Sequence, residues 1–510
     1  MRSLYSKTAR TDILAPLGLF VISLVLRLSV IGKGFYHPDA LFLGIQSEKI
    51  LASGHIHYLH LIGYPLTALL GAFFLWIGQA LRITDPAVSI NALSAIFSSL
   101  TIVIFYDLLK KILSPLAALL SASLLLVHPF FFAASVFGNS HMPSLFFFVL
   151  SLDLILIHRR DNRAAFFWLA AVSAGFMAAA RPQNIIQLFP VGYAFLSWDK
   201  DSQPPGLKHL CAGLKKYGAF ILVTGCVCFM FYIPMLRTHG GLVIDGGSPR
   251  DLWLSILPDL TAWGWWVSLK KIVLSFSPLG LIFIIIGLGA IFQKSRRLFT
   301  LIVCWALPAW IVFGCLATYV PRYSLNTVIA LTIPIGHALS RLIHKNSRGA
   351  ALGLLSFILL ATLLWSDIYS IVLFRHRHDL MGDFGSWIKA KTPSDAVIYA
   401  QDEQMIIEHY ADRAVKKAPF IKYAKRIYTA QDRQNLSAAL QEIRDLLRDK
   451  VPVYITSSAL TAYDPQKRFA RALRAGFRLN PIGDIAMEEW HQGITTLILY
   501  RERLYQITSR

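Results

Sequence analysis

The chain has 510 residues, of which 55% are hydrophobic and 15% charged, and its net charge is +21. Soluble proteins average about 25% charged residues, so the composition excludes an ordinary water-soluble enzyme. The fold class it implies is a polytopic α-helical membrane protein. Apolar runs of about 20 residues recur before residue 370, and such a run crosses a bilayer core of about 30 Å as a helix. In lipid, helix is the form that satisfies the backbone within one segment. The basic excess does not imply nucleic acid, because most basic residues before 370 form short clusters between apolar runs.

In chain order, Arg2, Lys7 and Arg10 place the N-terminus inside. Span 1, Ile13–Ile31, then runs outward as a retained helix with no small-residue cleavage site. Its Arg27 is expected to snorkel to the outer interface. The run Ala87–Leu109 ends at Lys110-Lys111 and is expected to travel inward as span 2. Residues 32–86 are therefore one long outer loop. Leu61–Leu81 within it is apolar enough to cross, yet crossing would invert every later basic loop. It is expected to lie at the outer interface or to re-enter the membrane.

The remaining spans alternate: Pro115–Ala134 out, Met142–Ile157 in, Ala164–Ala180 out, Ile185–Trp198 in and Tyr217–Leu236 out. After a second long outer loop, 237–270, Ile272–Phe292 returns, Leu298–Thr318 goes out and Leu325–Leu342 comes back. Ala350–Leu373 leaves the remainder outside. The expectation is eleven spans, N-terminus in and C-terminus out, over residues 1–373. Residues 374–510 form an extracytoplasmic α/β domain. Its strand-length segments Ala396–Ala400, Val451–Ile455 and Thr495–Tyr500 alternate with helical patterns at Glu403–Tyr410, Leu436–Leu447 and Gln466–Ala475.

Cys211, Cys226, Cys228, Cys304 and Cys315 give neither a disulfide framework nor a metal-ligand spacing. Sorted by side, His37-Pro38-Asp39, Asn139-Ser140-His141, Arg181-Pro182-Gln183-Asn184 and Arg322-Tyr323 all fall on the outer face. Ionisable groups at such places mark function. One carboxylate near several arginines suits an anionic lipid-linked substrate, because the guanidinium fork matches phosphate oxygens and stays charged. Asp39 is the candidate general base on an acceptor hydroxyl or amine. Its apolar neighbours Phe35, Tyr36, Leu41 and Phe42 are expected to raise its pKa. Arg181 and Arg322 would stabilise charge on a leaving phosphate, with His37, His141, Gln183 and Tyr323 as further substrate contacts.

Competing carboxylates are Glu48, Asp245, Asp251 and Asp259. Asp39 could also serve simply as the cap of the helical pattern Ala40–Ala52, and the arginines as headgroup anchors. Trp263, Trp265 and Trp266 fit an aromatic belt better than a sugar platform. Asp153, near the inner end of its span, is expected to pair with the basic cluster there. The run Lys416, Lys417, Lys422, Lys425 and Arg426 is expected to be a solvated face, or to touch anionic headgroups.

With these motifs in this order, residues 10–420 resemble the GT-C superfamily of membrane glycosyltransferases. The nearest branch is that of protein O-mannosyltransferases and bacterial aminoarabinose transferases. Tyr36-His37-Pro38-Asp39-Ala40 is similar to the acidic motif of the family's first outer loop. Tyr64-Pro65-Leu66 is similar to a stretch opening a juxtamembrane helix, Arg181-Pro182 to an "Arg-Pro-Glu" motif, and Arg322-Tyr323 to an "Arg-Tyr" that opens a late span. The resemblance implies inverting transfer from a polyprenyl-phosphate sugar to a lipid, glycan or protein acceptor at the outer face of the membrane, and the compact C-terminal tail suits a bacterial inner membrane. Ala40 replaces the family's second tandem acid, and His141 stands where an acid often precedes the fourth span. Both departures argue against a bound divalent metal, and no cofactor beyond the lipid-linked donor is expected. A transporter or flippase of a lipid-linked glycan is the alternative class. It predicts inverted repeats and midplane polar residues, and neither is evident. A non-catalytic subunit of a glycan assembly complex is the third.

Overall fold

A computed structural model describes residues 2–56, 63–197, 207–239, 261–315, 321–401, 403–419, 430–461, 464, 466–489 and 498–510. Asp245, Asp251, Asp259, Lys422, Lys425 and Arg426 fall outside these residues. The chain divides into two compact units. One holds the residues up to Lys33 and Asp39–Arg377, and the other holds Gly34–Pro38 and the described residues from His378 on.

The first unit is helical. Its helices are α1 (Arg2–Leu28), α2 (Pro38–Ser53), α3 (Pro65–Ala80), α4 (Pro86–Lys110), α5 (Pro115–Leu126), α6 (Pro129–Ser135), α7 (His141–Asp161), α8 (Ala164–Ala180), α9 (Leu188–Ser197), α10 (Leu207–His239), α11 (Ala262–Ser275), α12 (Ser277–Lys294), α13 (Arg296–Gly314), α14 (Leu325–Ile343) and α15 (Ser347–Arg377). Proline opens many of them, where its missing N–H has no helical partner to lose. Asp85, Ser114 and Ser295 cap α4, α5 and α13 by accepting from Ala87, Ala117 and Leu298 N–H groups.

Among the described residues, seven helices are long and apolar enough to cross a bilayer, or eight if the bent pair α5–α6 is counted as one span. Their outward faces are apolar too: Ile285 is 71% and Leu222 68% exposed. This is an integral membrane protein. The inward faces pack closely through small residues, as bilayer helices do. A Cβ on Gly287 would fall inside Pro334 O, and one on Gly175 would stand 2.6 Å from Val227.

Four expectations about the helices change. Span 3 is broken: the helix from Pro115 stops at Leu126 and resumes at Pro129 with a bend of 59°, because the residue before a proline, His128, is driven to extended backbone. Span 8 begins at Ser277, not Ile272. Ser277 takes φ +60° ahead of Pro278, which separates the Trp-bearing helix α11 from α12. Trp263 and Trp266 lie exposed on α11, and Trp265 Nε1 donates to Ile311 O. Span 6 opens with the 3-10 turn Pro182–Gln187 and becomes α-helical at Leu188. Arg27 does not snorkel. It is fully buried, donating to Ser23 O and Oγ and to Leu126 O, with its guanidinium 4.8 Å from the Phe132 ring centre. Asp153 pairs with Lys111 at 2.6 Å, and Lys111 also reaches Asp107. Leu61–Leu81 yields one helix of 16 residues, α3.

The second unit holds α16 (Leu380–Lys391), α17 (Ala430–Arg448) and α18 (Arg468–Gly476), with a five-stranded sheet in the order β2-β1-β3-β5-β4. Its strands are β1 (Val397–Ala400), β2 (Ala414–Lys417), β3 (Val453–Thr456), β4 (Phe477–Glu489) and β5 (Ile498–Ser509). β1 pairs in parallel with β2 and β3, whereas β5 runs antiparallel to β3 and β4. β1 and β3 are buried along their whole length, which is why they read as continuous apolar runs. β2 and β4 carry charged and polar residues and gave no such signal. Glu403–Tyr410 forms a short α-turn that widens into a π-turn, Ile407–Ala411. The core gathers Ile443 of α17 and Phe469 and Leu473 of α18 over Val453, Ile455 and Ile507. Lys416 pairs with Glu442 at 2.9 Å. Beneath the sheet end, Ser458 joins two buried carboxylates: its N–H donates to Glu502 and its hydroxyl to Glu403. Burial and then the Glu502 charge push the Glu403 pKa up.

Candidate active site

The site lies in the first unit, where four chain connections converge. Asp39 sits in the first turn of α2, where the exposed N–H groups favour a carboxylate. The helix begins at Pro38, so Asp39 lies just inside it. α2 is held on α3 by Ser47, whose hydroxyl donates to Ala68 O, at a crossing so close that a Cβ on Gly71 would overlap Ser47 Oγ. α3 is in turn fixed to the end of α8 by Thr67 Oγ1, which donates to Ala180 O at 2.9 Å. That bond brings Tyr64 beside Arg181.

Arg181 precedes Pro182 and is therefore driven out of helix, to φ −155° and ψ 98°. The turn aims its side chain inward. The residue is only 6% exposed, yet its charge is accommodated. Nη1 donates to Ser140 Oγ at 3.0 Å, and the guanidinium carbon lies 5.5 Å from the Tyr64 ring centre and 5.6 Å from that of Tyr323. Cation–π contacts of this kind contribute about 2 kcal/mol when desolvated. Gln183 Nε2 donates to Tyr64 OH at 3.3 Å, and Asn184 Nδ2 to Ser144 Oγ at 2.8 Å.

The third connection is set by Asn139. Its Oδ1 accepts from His141 and Met142 N–H, starting α7, while its Nδ2 holds Ala134 O and Phe137 O. His141 is buried with its ring 5.8 Å from that of Tyr323. The fourth is the 3-10 turn Pro321–Ser324 ahead of α14. It presents Arg322, which forms an ion pair with Asp39 at 3.0 Å and lies over the Tyr323 ring. Asp39, Phe42, Leu43, Gln46, Tyr64, Thr67 and Ser140 line one narrow cleft.

The structure thus brings Asp39, His141, Arg181, Gln183, Arg322 and Tyr323 into one cluster. His37 falls on Gly34–Pro38, the short segment of the second unit. Glu48 lies further along α2 and is not among the residues lining the cleft. The Asp39 side chain is 34% exposed, and its carboxylate touches the Arg322 guanidinium.

Two residues beside the cluster were not assigned to the site from the sequence, although Tyr64 was read as part of a helix-opening stretch. Tyr64 faces Arg181. Burial raises its pKa above the ordinary phenol value, Arg181 opposes that and Asp39 adds to it, so at neutral pH Tyr64 is a hydroxyl donor. Arg375, at the end of α15, donates to Ala133 O at 2.9 Å and stands over Phe137. Desolvation and the nearby Arg322 charge both lower its pKa. A signal for Arg375 existed: Arg375-His376-Arg377 is a basic cluster directly after the last long apolar run. Among the described residues, no group of three His, Cys, Asp or Glu side chains converges on a metal position.

Residues 67–230 match the family model of the dolichyl-phosphate-mannose-protein mannosyltransferases. No curated protein matches the chain significantly. The structure superposes on that of ArnT from Cupriavidus metallidurans bound to undecaprenyl phosphate with a TM-score of 0.63 at 12% identity, covering 98% of each chain. The oligosaccharyltransferase of Archaeoglobus fulgidus gives 0.56 at 15% identity over 95% of this chain and 74% of that one. The mycobacterial arabinofuranosyltransferase AftD gives 0.54 at 13% identity over 97% of this chain and 41% of the other. The chain has the GT-C fold.

Proposed function

We propose that this chain, built on the GT-C fold, is a membrane glycosyltransferase that moves a sugar from a polyprenyl-phosphate carrier to an acceptor at the outer face of the membrane. The carrying observation is the Asp39–Arg322 ion pair beside the caged Arg181. A carboxylate and two guanidinium groups at one cleft are what a base-assisted displacement of phosphate needs. The undecaprenyl phosphate bound to ArnT supports the same donor class here.

In the proposed reaction, the lipid phosphate is held by Arg181 and Arg322, with Tyr64 as a further donor. The acceptor hydroxyl or amine attacks the anomeric carbon. The bond from that carbon to the phosphate oxygen breaks, and its electron pair leaves with polyprenyl phosphate. The acceptor proton passes to an Asp39 oxygen. Arg322 is the coupling element: as phosphate draws it away from Asp39, the carboxylate becomes free to accept that proton. A single displacement of this kind inverts the anomeric centre. His37, His141, Gln183 and Tyr323 are proposed to contact the sugar or the phosphate. The lipid-linked sugar is the only cofactor-like partner in the scheme, and the acceptor is a lipid, a glycan or a protein.

The proposal places residues 1–373 in a bacterial inner membrane with eleven spans, N-terminus in. It gives residues 374–510 as an extracytoplasmic domain that shapes acceptor access. The test is reconstitution of the purified protein with a radiolabelled polyprenyl-phosphate sugar and extracts of the cell envelope. Label is expected to appear in an envelope product with inverted anomeric configuration. Release of label only as free sugar, or no release with any polyprenyl donor, would sink the proposal.

A further inference from the structure

A second cleft lies away from Asp39, at the end of the bundle that carries Lys294 and Lys345. Its volume is about 920 Å³, and it opens between the C-terminal ends of α12 and α14 and the starts of α5 and α13. Its wall has two kinds of surface. Lys294, Arg341 and Lys345 form a cationic rim, and no carboxylate lines the cleft among the described residues. None of the three pairs with an acid among those residues. The capped starts of α5 and α13, at Ser114 and Ser295, border the same space, and helix starts favour anions. His337, 8% exposed, lines it as well, and its Nε2 has no hydrogen-bond partner among the described residues. Beyond the rim, Ile286, Ala290 and Leu298 form an apolar wall. Ile286 is 55% exposed on the outer surface of the bundle, so this wall runs out to where lipid tails lie.

An ordinary basic loop flanking a span would spread its charges into water or toward headgroups. Here they meet over a cavity with an unsatisfied buried imidazole and an apolar exit. We propose that this cleft is a binding site for an anionic phospholipid, distinct from the donor site. Its phosphate would sit among Lys294, Arg341, Lys345 and His337, and one acyl chain would lie along Ile286 and Ala290. Basic pockets between membrane helices recognise such headgroups. The inference does not depend on the glycosyltransfer reading.

The test is native mass spectrometry of the full-length protein in neutral detergent, with equal amounts of phosphatidylglycerol and phosphatidylcholine of matched chains. Wild type is expected to retain phosphatidylglycerol preferentially. Lys294→Gln combined with Arg341→Gln is expected to weaken that retention about 25-fold, near fivefold for each charge. Ala290→Trp, which fills the wall and leaves every charge, is expected to abolish it. Both variants should keep the wild-type unfolding midpoint without added lipid, and a variant that does not is replaced by Lys345→Gln. Equal retention of the two lipids by wild type would overturn the proposal. So would unchanged retention in the variants. Displacement of phosphatidylglycerol by millimolar inorganic phosphate, with no preference for the lipid over the free ion, would identify a free-anion site and overturn the lipid assignment.

Discussion

Under the proposed function, Asp39→Asn is expected to lower the transfer rate by about 10²–10⁴-fold, the range a positioned general base contributes, while the affinity for polyprenyl phosphate is expected to hold or rise. The asymmetry follows from the ion pair. Asparagine keeps the size of the side chain but neither accepts a proton nor holds Arg322 by charge. With that partner neutralised, Arg322 meets the lipid phosphate without first leaving a carboxylate 3.0 Å away. The fold should tolerate the change, because a first-turn carboxylate contributes only about 0.3–1 kcal/mol to its helix. The measurement is kcat and KM for the donor, with lipid retention measured separately. A loss confined to KM would mean that Asp39 binds and does not act as the base.

Arg181→Ala is expected to have the other large effect, a fall of about 10²–10³ in kcat/KM, the size that follows removal of a fixed group that stabilises developing charge. Arg181 is the more buried of the two arginines at the cleft, held by Ser140 and set between the Tyr64 and Tyr323 rings. Its charge therefore acts with little solvent screening. Arg181→Lys should recover only part of the loss, since an ammonium restores the charge but not the planar fork or its stacking. A purely architectural Arg181 would show up differently: alanine would lower the unfolding midpoint, and the lysine variant would recover stability and activity together.

The helices of the first unit were legible because hydrophobic length is a strong signal. What it does not encode is where backbone geometry interrupts a run. The break at His128-Pro129 and the left-handed Ser277 before Pro278 both lie inside continuous apolar stretches. Charge bias likewise sorts loops by side but says nothing of packing, which is how Arg27 came to be expected at the interface although it is buried among Ser23, Leu126 and Phe132. The cluster around Asp39 was legible because ionisable residues beside membrane helices are costly and stand out. Tyr64 did not stand out, because a tyrosine at a helix start is also an ordinary interface residue. The Asp39–Arg322 contact joins positions 283 residues apart, the difference between 322 and 39, and only the packed bundle reveals it. In the second unit, β1 and β3 were readable as buried apolar runs. The edge strand β2, with Lys416 and Lys417, follows from its pairing alone.

The central claim is that Arg181 and Arg322 receive the phosphate of a polyprenyl carrier beside Asp39. The most direct measurement is an experimental structure of the protein with bound polyprenyl phosphate. The account predicts phosphate oxygens within hydrogen-bond distance of both guanidinium groups, with the Arg322–Asp39 pair opened. A phosphate seated elsewhere on the bundle, with that ion pair intact and Arg181 still closed between Tyr64 and Tyr323, would contradict it.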